Sequence, residues 1–297
     1  MTEQYDASSE NDGREKDPPV VPVSPATALA TAPRPPVKAW RWWIHLFLIA
    51  AYPLLIGILG LGGEADGPAL QSDARGLLLV CAEQMLVFGV IFGVAWVASR
   101  ASKEELLWKW RGGLLPIPLG IGYSVALRLA VGLFAAFVVV ILLLTRVFTL
   151  PQLQEFVMAN RPDIESVVDI PAMRQNPVYY WLTLTVVSFV VAGFREELWR
   201  VAFIAGMKGI APRVFSSKRG QFGAVAIAAV IFGFGHLGQG PLAVVLTGIL
   251  GFGLGAIMVF HRSIWPAVIA HGMFDATSLA LIPWLMEIIQ DAPPTAG

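Results

Sequence analysis

Three short stretches of this 297-residue chain set ionisable side chains inside runs of apolar residues: Arg195-Glu196-Glu197-Leu198-Trp199-Arg200, Phe232-Gly-Phe-Gly-His236 and His271-Gly-Met-Phe-Asp275. At the centre of a membrane helix each such charge costs about 2.5–3.5 kcal/mol on the insertion scale, so the cluster needs a reason. Pairing supplies part of it. Glu196 and Arg200 are four residues apart and Glu197 and Arg200 three, spacings that put partners on adjacent surface of one helix. His271 and Asp275 are one turn apart and can point at one spot, with the carboxylate orienting the imidazole or sharing its ligand. Two of the chain's four histidines thus lie in apolar spans, and with Glu196 they converge from three segments. Two imidazoles and a carboxylate can bind a divalent ion such as Zn²⁺, with His236 and His271 as its ligands, or can hold a water directly; Glu196 would take the water's proton. That is the chemistry of hydrolysis. The plainer readings are an ion-pair clamp between helices and histidines bonded to backbone carbonyls.

The elements that must position these groups follow from composition. Hydrophobic residues make up 56% of the chain and charged ones 14%, against about 25% charged in soluble domains. This predicts an all-α, polytopic integral membrane helical bundle of about seven transmembrane helices. The apolar stretches run Trp40–Leu61, Gly76–Ser99, Arg128–Phe148, Tyr179–Met207, Phe222–Leu237, Leu242–Phe260 and Trp265–Ile288, each near the roughly 20 helical residues that a bilayer core requires. Lys and Arg cluster before the first span and after the second, fourth and sixth, while Glu64, Asp66 and Asp73 and then Glu155, Asp163, Glu165 and Asp169 dominate alternate loops. The positive-inside rule then gives a multi-pass protein of the plasma (inner) membrane with a cytoplasmic N-terminus. Residues 1–38 are Pro-rich, polar and expected to be a disordered tail. The 21 basic residues offset the 21 acidic ones without a basic patch, so a nucleic-acid partner is not expected. Cys81 stands alone, which leaves any metal to His and carboxylates.

On these motifs the sequence resembles the CPBP family of intramembrane proteases, the type II CAAX prenyl endopeptidases and bacteriocin-processing proteins. That family is similar in carrying a Glu pair followed by Arg, a Phe-x-x-x-His and a His-x-x-x-Asn or Asp on separate spans. Here these are Glu196, Glu197 and Arg200, Phe232 to His236, and His271 to Asp275. The resemblance implies a catalytic core over residues 179–290, preceded by N-terminal transmembrane helices and loops over 39–178 and followed by a short tail, 291–297. It implies a glutamate-dependent intramembrane (metallo)endopeptidase acting on a peptide or prenylated protein substrate in the lipid bilayer, with His residues that hold zinc or act without it. One departure stands out: the family places three residues between Glu pair and Arg, and here only Leu198 and Trp199 intervene. Anchored on the pair, Glu196 is the base; anchored on Arg200, Arg195 takes the first Glu position and the chain is a non-catalytic binding or scaffold relative. An ion-coupled transporter using Glu83 and Glu196 is a further rival, weakened by the lack of inverted repeats.

Other signals concern packing. Gly251 and Gly255 form a small-residue face that suits tight helix contact. Glu83 is expected to be buried, beside Gln84 or on a cavity wall. Arg128 and Arg146 are placed to snorkel to opposite interfaces, and His45 and His261 lie near span ends. Ser102–Gly112 reads as an amphipathic interfacial segment. Straight spans would set His236 and His271 at different depths, so the fifth span is expected to begin near Ala224 or to tilt, with irregular backbone at Gly233, Gly235, Gly238 and Gly240.

Overall fold

The structure, a computed structural model, describes residues 37–62 and 68–291. Most of the expected tail, the loop carrying Glu64 and Asp66, and residues 292–297 lie outside the described residues. The helices are α1 (Ala39–Gly62), α2 (Ala74–Ser99), α3 (Pro116–Leu144), α4 (Leu150–Ala159), α5 (Ile170–Gln175), α6 (Pro177–Ile210), α7 (Pro212–Phe215), α8 (Lys218–Phe234), α9 (Pro241–His261) and α10 (Trp265–Asp291). No strand occurs among the described residues. The fold is an all-helical membrane bundle, and α1, α2, α3, α6, α9 and α10 are long and apolar enough to cross a bilayer.

The fifth expected span, Phe222–Leu237, corresponds to α8, which is not among the six helices long enough to cross a bilayer. α8 has 17 residues, about 25 Å at 1.5 Å per residue against a core of about 30 Å. It starts at Lys218, not near Ala224, because Ser217 caps it by accepting the Gly220 N–H at 3.0 Å. It stops at Phe234, where a 3₁₀ turn, Leu237–Gln239, and Gly240 at φ +99° redirect the chain.

The second half of α6 is the centre of the bundle, with every side chain from Glu197 to Ala205 buried. Its preceding stretch, Thr183–Glu196, is wound as a π-helix, a wide-turned form found mostly as single turns at functional sites. There α6 meets α10 at two glycines. A Cβ on Gly193 would stand 2.9 Å from the Val268 carbonyl oxygen, and one on Gly272 would enter the Phe189 ring. This close approach brings the carboxylates of α6 within reach of His271.

Several expectations about polar residues change in the packed structure. His45 lies fully buried among α1, α2 and α6, its Nδ1 3.0 Å from the Ala95 oxygen and its Nε2 2.9 Å from that of Ala202. Arg128 does not snorkel. From α3 it donates to the Phe274 carbonyl and the hydroxyls of Thr277 and Ser278 on α10, with its guanidinium 4.4 Å from the Phe274 ring centroid. Ser102–Gly112 forms turns rather than a helix, because its carbonyls serve the connection between α9 and α10. Ile264 N–H donates to Leu107 O, Ser263 Oγ to Lys109 O and Trp265 Nε1 to Trp108 O, each at 3.0 Å.

Candidate active site

A cavity of about 470 Å³ inside the bundle is lined by Glu196 from α6, His236 from the end of α8, and His271 and Asp275 from α10. The three motif segments therefore meet at one place, and Phe232 is what joins them. Its ring lies 6.0 Å from that of Trp199, 4.7 Å from that of His236 and 6.4 Å from that of His271, centroid to centroid. The depth mismatch expected of His236 and His271 is resolved at this ring. His236 sits beyond the helix end and turns back, Nδ1 2.9 Å from the Phe232 carbonyl oxygen. With Nδ1–H donating there, Nε2 keeps its lone pair.

The two adjacent glutamates have different environments. Glu197 is fully buried, and its Oε1 contacts both the Arg200 guanidinium and, at 2.8 Å, His271 Nδ1. Glu196 lines the cavity; its Oε1 accepts from Arg195 at 3.0 Å and its Oε2 lies 3.8 Å from His271 Nε2. Asp275 Oδ2 faces the same Nε2 at 3.5 Å. The carboxylate that orients the imidazole through Nδ1 is thus Glu197, while Asp275 and Glu196 share the opposite side of the ring.

Among the described residues, Arg200 has no hydrogen-bond acceptor beyond its ion pair. Its guanidinium instead lies 4.5 Å over the Phe232 ring, an attraction worth most where water is excluded. The space it occupies comes from α9. A Cβ on Gly251 would stand 3.3 Å from an Arg200 terminal nitrogen, and one on Gly255 3.2 Å from its Cδ. The small-residue face expected for plain helix contact makes room for a buried cation.

Two residues named in the sequence without a role in the site take part in it. Arg195 is clamped between Glu196 and Gln84 of α2, donating to Gln84 Oε1 at 2.6 Å. Gln84 had a legible signal: it continues the buried stripe Leu77, Cys81, Phe88 at helical spacing. Glu83, one position off that stripe, is exposed on the outer face of α2 rather than buried.

Residues 177–277 match the family model described as Rce1-like, type II CAAX prenyl endopeptidase Rce1-like. This Rce1-like segment holds all seven motif residues and both glycines of the α6–α10 crossing. Gln84 and Arg128, which reach the same site from α2 and α3, lie outside it. No curated protein and no solved structure matches the chain.

The donor chemistry of His236, His271 and the two carboxylates suits zinc. Their spacing does not: no three His, Cys, Asp or Glu side chains among the described residues stand where they would share one ion. No step below is routed through a metal.

Proposed function

We propose that the chain is an intramembrane endopeptidase that hydrolyses a peptide bond of a membrane-associated substrate by glutamate-activated water. The observation that carries this reading is the meeting of Glu196, His236, His271 and Asp275 at one cavity within an apolar bundle. The Rce1-like match over residues 177–277 agrees with it.

Arg195 occupies Glu196 Oε1, which leaves Oε2 as the oxygen that takes a proton from water. His236 Nε2, with its lone pair free, accepts the water's second hydrogen and fixes its direction. His271, held through Nδ1 by Glu197, presents Nε2 between two carboxylates; an N–H there hydrogen-bonds to the carbonyl oxygen as it gains negative charge and keeps its proton throughout. Glu196 then returns its proton to the leaving amine.

Purified protein, assayed in detergent on quenched peptides with and without a prenylated cysteine, tests this. We expect Glu196→Gln to lower kcat by about 10²–10⁴-fold, the range for loss of a general base. Undiminished cleavage would remove Glu196 from the mechanism and favour the binding or scaffold reading, in which function survives that change. The same assay with a chelator, paired with metal analysis, reads metal dependence. We expect cleavage to persist; loss of activity restored by zinc would mean that the two imidazoles draw together on an ion.

A further inference from the structure

We propose that α2 pairs with α2 of a second copy of this chain, making the protein a parallel, two-fold dimer whose seam holds Glu83. The pairing stands apart from the hydrolase reading and needs nothing from it.

Glu83 is out of place on this surface. Ionisable side chains within membrane spans almost always face a bundle interior or a cavity. Arg195, Glu196 and Asp275 line the cavity, and Glu197 and Arg200 are buried. Glu83 instead is exposed on the outer surface of α2, with no hydrogen-bond or ion-pair partner among the described residues. It is the tenth residue of a 26-residue helix. With that helix centred on a bilayer core of about 30 Å, the residue lies about 9 Å below the core boundary. A glutamate lacks the long stem by which Lys and Arg reach the headgroups.

The residues around it form a seam. Leu79, Glu83, Leu86, Val90, Gly93 and Val97 follow one another at intervals of four and three in alternation, the repeat of a coiled coil with Glu83, Val90 and Val97 at its a positions and Leu79, Leu86 and Gly93 at d. β-Branched residues at a with leucine at d favour a parallel pair, and one polar residue at an a position sets its register. Leu79, Leu86, Val90 and Val97 are each more than half exposed, because α2 packs into the bundle through Leu77, Cys81, Phe88 and Ala95 on its other side. At Gly93, and at Gly89 on the flank of the seam, a Cβ would meet nothing within 4 Å. These glycines serve no contact within the chain and leave backbone open to a close neighbour, the usual basis of helix association in lipid.

Depth selects the occupant. A two-fold axis along the membrane normal sets each residue level with the same residue of the other copy, in a contact that uses one patch twice. Glu83 then meets Glu83 of the partner subunit. Two carboxyl groups with a proton between them satisfy each other, the O–H of one donating to an oxygen of the other. Among the described residues, no other charged side chain is exposed on a long helix more than two turns from its end. Contact through any other face of a second copy would therefore leave Glu83 unpaired.

Cross-linking and association in lipid test the pairing. In a Cys81→Ala background of the full chain, Leu79→Cys, Leu86→Cys, Val90→Cys and Val97→Cys report the seam, Leu78→Cys the side of α2 away from it, and Leu133→Cys the outer surface of α3. Proteoliposomes are oxidised with copper phenanthroline. We expect disulfide dimers at the four seam positions and few at Leu78→Cys or Leu133→Cys. Energy transfer between labelled copies, followed as the protein is diluted in lipid, gives the strength of association. We expect Glu83→Leu to weaken it by about 3–30-fold, the range for one interhelical hydrogen bond in a bilayer. Glu83→Gln, whose amide can pair with its own copy, should keep most of it. Neither change should move the unfolding transition of the diluted monomer, since Glu83 has no partner within the chain. Monomers at every dilution, seam cross-links no more frequent than those at Leu133→Cys, or a Glu83→Leu dimer as tight as the parent overturns the proposal. A seam cysteine that in native membranes joins only a chain of different mass overturns it as well, and gives the seam to a helix of another protein.

Discussion

Glu197 is wholly enclosed, with one oxygen shared by Arg200 and His271, while Glu196 keeps 17% of its side chain open to the cavity. Removing one member of a buried ion pair strands the other charge without water and costs about 3–5 kcal/mol. We therefore expect Glu197→Gln to destabilise the protein by about that amount, seen as an earlier unfolding transition in detergent by tryptophan fluorescence. Glu196→Gln, at a cavity-lining position, should shift stability by about 0.5 kcal/mol or less while removing activity. An unfolding transition unchanged in Glu197→Gln would mean that the Arg200–Glu197–His271 chain does not bear on stability. The contrast also bears on the one-residue departure in motif spacing. With Glu197 committed to Arg200 and His271, Glu196 is the member of the pair that faces the cavity, which is the arrangement expected when the pair and not Arg200 anchors the alignment.

At the scale of elements, the helix that carries His271 and Asp275 is braced from behind. α3 contributes little buried surface, yet Arg128 ties it to α10 through one carbonyl and two hydroxyls directly beside Asp275. Arg128→Met would leave those groups without their charged donor, at a cost of about 1–3 kcal/mol. As a positioning residue it should lower kcat with KM little changed, and Arg128→Lys should recover part of the loss; a change confined to KM would assign Arg128 to substrate contact instead. α9 bears on the site in a different way, through absence of side chain. A leucine at Gly255 must displace Val225 and the Arg200 stem, since even its Cβ would stand 2.7 Å from Val225 Cγ1. Overpacking of this kind costs about 1–3 kcal/mol, and we expect Gly255→Leu to reduce thermal stability and activity together. The glycine spacing was legible as a packing face, because spacing reports which surface is small. What fills that surface depends on a partner helix and is not written in α9 itself. His45 shows the same limit: an isolated histidine near a span end carries no mark of the two carbonyls, 50 and 157 residues away, that enclose it.

For the whole molecule, hydrophobic run lengths gave the all-helical bundle and the motif spacing gave the meeting of α6, α8 and α10, since both are consequences of local sequence. The length of α8, the turn conformation of Ser102–Gly112 and the part played by Gln84 depend on hydrogen bonds between distant segments and were not visible in the same way. α8 matters most, because the topology turns on it. Six long helices alone would return both chain ends to one face, whereas six plus α8 place them on opposite faces. Although α8 is about 5 Å short of a bilayer core, the backbone that follows it is not left in lipid. The 3₁₀ turn is tied to the loop between α4 and α5 by the bond from Asp163 N–H to Gln239 O, and its neighbours Gly235 and His236 line the cavity. Irregular backbone at membrane depth is tolerated in such a setting, so we expect α8 to complete a seventh crossing. The check is protease protection of epitope tags placed at the two ends. We expect the N-terminal tag to be digested in inverted vesicles only and the C-terminal tag in right-side-out vesicles only; digestion of both from one side would show that α8 re-enters the face from which it came, and the charge pattern of the loops would then need a different explanation.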